Sequence, residues 1–114
     1  MKRAAFSLLV LTTSTFAQSQ REMNLQAAAD FAKADAALNK LYTKVLAALD
    51  DEGKKKLKVV QRAWVVFRDA EADLQADSEA RGGSMAPLIY DGTRTTLTNE
   101  RIKAFKEMLK NSER

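Results

Sequence analysis

The stretch AAADFAKADAALNKLYTKVLAA, residues 27–48, decides the fold. Its apolar residues Ala27, Phe31, Ala34, Leu38, Leu41, Val45 and Ala48 recur in alternating steps of four and three. Such steps stack side chains along one face of an α-helix, which turns once every 3.6 residues or about that. The pattern predicts a long amphipathic helix from about Glu22 to Leu49, whose buried stripe needs partners of the same kind.

Those partners lie downstream. Asp50, Asp51 and Glu52 supply an N-cap and first-turn acids for a second helix. Its apolar stripe is Leu57, Val60, Trp64, Phe67 and Leu74, with Ala70 near the same face. Gly82 and Gly83 end it near Arg81, because glycine adopts a left-handed C-terminal cap without strain. Residues 82–96 hold these glycines, the single proline, Asp91-Gly92 and a run of threonines, and read as an ordered loop. Thr98 or a neighbouring threonine then caps a third helix with Ile102, Phe105, Met108 and Leu109 inward, fraying after Lys110. The expected architecture is all-α: an antiparallel bundle of two long helices and a shorter third, with an irregular loop before the third. No alternating apolar pattern is long enough for a sheet.

Upstream, Lys2 and Arg3 precede an apolar run from Ala4 to Leu11, followed by small and polar residues to Ala17. This is the layout of a signal peptide, with Thr15 and Ala17 as the small residues before the cut. Residues 1–17 are expected to be removed, leaving one helical domain over residues 18–114. The apolar run falls short of the roughly 20 residues that cross a bilayer, so no membrane span is expected. No cysteine follows it to carry a lipid anchor. The expected location is the periplasm or the exterior.

Composition excludes much chemistry. The chain of 114 residues has no histidine and no cysteine. Ser-His-Asp and Cys-His nucleophile systems, haem ligation and the usual zinc sites therefore lack their central residue, and a disulfide framework is ruled out. The net charge of +4 falls to about +2 without Lys2 and Arg3. Charges of both signs are scattered, with no basic tract interleaved with aromatics, so nucleic acid is not an expected partner. Asp50, Asp51 and Glu52 lack the spaced ligands of a calcium loop, and neither a metal nor a cofactor is expected. Lys54, Lys55, Lys56 and Lys58 form a solvated basic face that anionic envelope polymers can also touch.

A set of short motifs adds to this reading. Glu22-Met23-Asn24, Ala34-Asp35, Leu38-Asn39 with Tyr42, Gln61-Arg62-Ala63-Trp64 with Phe67-Arg68-Asp69, Gly82-Gly83-Ser84, and Leu97-Thr98 with Arg101 follow in order. In this order and spacing they resemble the LprI-like lysozyme inhibitor family over residues 20–109. The resemblance implies a small, exported, mostly helical domain without catalysis, whose partner is a lysozyme-class protein. Members of that family carry cysteines where this chain has Gln26, Ala72 and Thr93. Their absence here removes staples that would tie the 82–96 segment to helix two, each worth about 2–4 kcal/mol.

The motif residues each have a structural and a functional reading. Trp64 and Phe67 belong to the core or stack on a ligand. Tyr42 buries its ring, and its hydroxyl is within reach of Asp35 or Asn39. Asn39, a poor helix former, is expected to make a hydrogen bond between helices. Arg68 and Asp69 form a structural ion pair or meet a partner, while Leu38, Gln61 and Arg101 complete the structural set. Arg81, Gly82, Gly83, Ser84, Tyr90 and Arg94 lie on or beside the irregular loop and are the candidate partner-binding residues, since loops carry recognition and glycine admits a close backbone approach.

Two functions remain open on sequence. One is inhibition of a lysozyme-class peptidoglycan hydrolase by occupation of its cleft. Such enzymes work with two carboxyl groups, to which Arg81, Ser84 and Arg94 offer cations and hydroxyls. The other is a periplasmic helical adaptor or envelope-stress protein that binds through its helix faces. Enzymatic activity needs two facing acids in a cleft, and the acids here have surface spacing. The oligomeric state is open.

Overall fold

The computed structural model describes residues 2–113, with side chains from residue 15 onward. Three helices follow one another: α1 over Lys2–Ala47, α2 over Asp51–Ala80 and α3 over Ala86–Ser112. The all-α bundle expected from sequence is the observed fold. Helix α3 packs along both α1 and α2, which touch each other little. The leader expected over residues 1–17 falls on the start of α1, largely on residues whose side chains lie outside the description.

The α1–α2 junction forms as its residue types dictate. Oδ1 of Asp50 accepts from the backbone N–H of Gly53 at 2.8 Å, capping α2, and Asp51 and Glu52 sit in the first turn. Asp50→Ala is expected to lower the unfolding free energy by about 1 kcal/mol, and Asp50→Asn by clearly less, read from urea denaturation curves.

The third helix departs from expectation. The irregular segment is confined to the turn after α2, and residues 86–96 belong to α3 rather than to a loop. Proline is tolerated because Pro87 lies in the first turn, where its missing N–H has no helical acceptor to serve. The threonines are accommodated by bonding back: the hydroxyls of Thr95 and Thr96 donate to the carbonyls of Asp91 and Gly92 at 2.9 and 3.1 Å. Thr98 is no cap; it is fully buried mid-helix. Met85 occupies the N-cap without a side-chain bond.

The apolar core lies at the α1–α2 junction end. Leu38, Val45, Leu57 and Phe105 are buried there, with Leu41, Tyr42, Leu46, Leu49, Trp64, Ile102 and Leu109 packed around them. The rings of Tyr42 and Phe105 stack with centroids 6.3 Å apart. Towards the other end the buried positions are small, with Ala27, Ala34, Ala72 and Ala76 bringing the helices close.

Helix α2 turns inward a face that shares only Leu57 and Trp64 with the apolar stripe expected from sequence. Leu57, Gln61, Arg68, Ala72 and Ala76 are buried, whereas Val60, Phe67 and Leu74 are more than half exposed. Phe67 is thus not a core residue. Arg68 lies on the inward face, where its guanidinium reaches Asp35 of α1 as well as its neighbour Asp69. On α1, Ala48 is exposed in the turn, and Asn39 is exposed, its carbonyl accepting from the Thr43 hydroxyl rather than its side chain bridging helices. Met108 also remains 39% exposed, contrary to the inward position expected of it.

Candidate functional site

The middle of the bundle is built around arginines. Arg68, from α2, is buried, and its guanidinium lies 4.9 Å from the centre of the Phe31 ring and 5.2 Å from that of Trp64. Arg94, from α3, lies over the same Phe31 ring, 3.6 Å from its centre, and 4.5 Å from that of Tyr90. Arg101, two turns further along α3, sits 5.6 Å from Trp64 and 4.7 Å from Phe105. The resulting order is Tyr90, Arg94, Phe31, Arg68, Trp64, Arg101, Phe105, with cation and ring alternating. Each desolvated contact of this kind contributes about 1–2 kcal/mol.

Carboxylates meet two of these arginines, and a neutral amide meets the third. Arg68 Nη1 donates to Asp35 at 3.2 Å and Arg68 Nε to Asp69 at 3.0 Å. Arg94 pairs with Asp91 at 2.7 Å and lies 3.7 Å from Asp69. Arg101 Nε donates to the Gln61 side-chain oxygen at 3.0 Å, and burial pulls the Arg101 pKa below its ordinary value. Asp35 therefore serves Arg68, not Tyr42. This ladder joins α1, α2 and α3 and runs from the alanine-lined part of the bundle to the apolar core at Trp64 and Phe105.

The ladder is built for rigidity rather than chemistry. A guanidinium keeps its proton throughout the working pH range, so it cannot act as a base. Asp35, Asp69 and Asp91 are each engaged by an arginine. Among the described residues, no group of three or more acidic side chains is placed to hold a metal ion.

The turn after α2 has the opposite character. Arg81, Gly82, Gly83, Ser84 and Met85 are all exposed. Gly82 has φ of 67°, a left-handed conformation that a side chain would strain. The Gly83 N–H donates to the Ala80 carbonyl at 2.8 Å, closing α2. Arg81 reaches back to Asp77 through Nε and Nη2, at 2.9 and 2.7 Å, and that carboxylate raises the Arg81 pKa. From α1, the Asn24 amide donates to the Ser84 carbonyl at 3.1 Å, with Gln20 bonded in turn to Asn24 at 2.9 Å. An open groove of about 560 Å³ runs beside the turn, lined by Phe16, Ala17, Gln20, Arg21, Asn24 and Ser84.

The candidate residues thus separate into two groups. Arg81, Gly82, Gly83 and Ser84 share the exposed turn. Tyr90 and Arg94 stand apart in α3 as the end of the ladder, together with Trp64, Arg68, Asp69, Asp35, Gln61 and Arg101. Phe31 and Asp91 complete the ladder without having been singled out by sequence. The available signals were a lone aromatic in an alanine-rich stripe and an Asp-Arg pair at i, i+3.

A family model described as lysozyme inhibitor LprI matches residues 12–105, a span that takes in α2, the exposed turn and all the ladder residues. This chain belongs to the LprI family. An uncharacterized protein of Rhizobium meliloti (strain 1021) is 38% identical, over 85% of this chain and 78% of its own length. No solved structure matches. LprI is an inhibitor family and not an enzyme family, and a protein partner such as lysozyme is what membership implies. Among the described residues, no helix is long and apolar enough to cross a membrane.

Proposed function

We propose that this LprI-family chain is exported to the periplasm, loses residues 1–17, and there inhibits a lysozyme-class peptidoglycan hydrolase without catalysing a reaction itself. The inhibitory element is the turn from Arg81 to Met85, presented to the enzyme's cleft. The observation that carries this reading is that the turn is exposed yet held at its base by Asn24 and by the Asp77–Arg81 pair. A recognition loop that is ordered before binding loses little conformational freedom on docking. The cleft of a lysozyme-type glycosidase holds two carboxyl groups, and the turn offers a guanidinium, a hydroxyl and glycine amides. The ladder keeps the helices that carry the turn in register.

The test uses the full chain expressed with its leader and purified from the periplasm, where intact mass reads whether cleavage falls after Ala17. Lysis of peptidoglycan by a panel of lysozymes and bacterial hydrolases is followed with and without micromolar protein. Inhibition of at least one enzyme is expected. Ser84→Trp and Arg81→Glu should each weaken it by about tenfold or more, at unchanged helical circular dichroism. No inhibition across the panel would overturn this reading and leave the helical adaptor in its place.

A further inference from the structure

The apolar stripe that α2 does not bury runs along its outer side. Val60, Phe67 and Leu74 recur at intervals of seven, with Ala63 and Ala70 between them and Val59 and Val66 beside them, and all are exposed. A helix face of this size left in water is unusual for a small monomeric protein. Phe67 lies close to the midpoint of Asp51–Ala80, and Val60 and Leu74 are equidistant from it.

The charges beside the stripe are arranged about the same midpoint. Lys55 and Arg62 precede Phe67; Asp73 and Asp77 follow it. Their spacing of seven, eleven and four places them on one flank of the stripe, and all are exposed. An antiparallel copy of α2 crossing at Phe67 brings the Val60 of one chain level with the Leu74 of the other. It also sets Arg62 beside Asp73, and Lys55 beside Asp77, across the junction. A parallel arrangement would instead set this flank against the opposite flank of the partner, and these four charges would not meet across the junction. A surface whose charge changes sign about its own centre meets the condition for a two-fold, isologous contact with itself.

We infer that the chain forms a homodimer through antiparallel packing of the Val60–Phe67–Leu74 face of α2 on the same face of a second copy. The α2 helices, about 45 Å long, then carry the two Arg81–Met85 turns to opposite ends of the assembly, each bordering the contact through the Asp77 that Arg81 engages.

The absence of cysteine makes the geometry directly testable by oxidative cross-linking. Light scattering on the full chain purified from the periplasm should give twice the monomer mass at tens of micromolar. Phe67→Asp, at an exposed position, should give the monomer mass with helicity unchanged. Phe67→Cys should cross-link to itself. Val60→Cys mixed with Leu74→Cys should yield the mixed disulfide dimer, whereas Val60→Cys alone should not dimerise covalently. A monomer mass at all concentrations up to about 1 mM, a dimer that survives Phe67→Asp, or efficient self-linking of Val60→Cys would each overturn the proposal. The Phe67→Asp variant keeps the turn, so retained inhibition of peptidoglycan lysis by this monomer separates the dimer from the inhibitory reading.

Discussion

Arg68→Met is expected to lower the unfolding free energy by about 2–4 kcal/mol, which in a domain of this size moves the thermal midpoint down by roughly 10–20 °C. The replacement fills similar volume but removes the charge on which the polar middle of the bundle is organised. Asp35 loses its bond from Arg68 Nη1, Asp69 its bond from Arg68 Nε, and the rings of Phe31 and Trp64 lose the cation between them. Breaking a fully buried pair costs about 3–5 kcal/mol. Here the carboxylates are over a third exposed and regain water, which places the expected loss lower. Arg68→Lys should recover only part of it, because one ammonium cannot reach Asp35 and Asp69 with a planar fork while lying flat on two rings. Melting followed by circular dichroism, with both variants in parallel, gives the ranking. Equal stability of the Lys variant and the unmutated chain would mean that net charge alone, and not the stacked geometry, holds the helices.

The ladder also explains how far the fold could be read before the structure. On α1, the sequence period and the buried face agree from Ala27 to Val45, because nothing polar on that stripe competes for the interior. On α2, period and burial disagree. Hydrophobic patterning ranks Val60, Phe67 and Leu74 above Arg68 as inward residues, and it fails since the arginine has its counter-ions on α1 and within α2 itself. A pattern confined to one helix cannot register a carboxylate supplied by another. The segment from Ala86 to Thr96 reads as a loop in sequence for a related reason: proline, glycine and threonine are weak helix formers in isolation. Packing of α3 between two neighbours outweighs those local preferences. Of the candidate site, the turn at Arg81 to Ser84 was legible because Gly-Gly stops a helix by local chemistry alone. Tyr90 and Arg94 join that turn only on the longer loop that the sequence suggests. Their positions in the ladder follow only once α3 is seen to start at Ala86.

The sharpest contrast between pattern and packing lies in two phenylalanines. Phe105→Ala is expected to cost about 3–5 kcal/mol, because the ring is wholly buried among Leu38, Val45 and Leu57 and its loss opens a cavity in the core. It would also free Tyr42 and Arg101, both of which lie against that ring. Phe67→Ala, identical in chemistry, should cost under about 1 kcal/mol when measured in dilute protein, since half of its surface already meets water. Urea titrations of both variants at sub-micromolar concentration supply the comparison. The sequence stripe ranks the two residues alike, so a large loss at Phe67 under these conditions would restore the inward orientation that the stripe implies. It would also remove the exposed face on which self-association rests. A large loss at Phe105 alone places the core at the α1–α2 junction end and leaves the outer side of α2 available for a second chain.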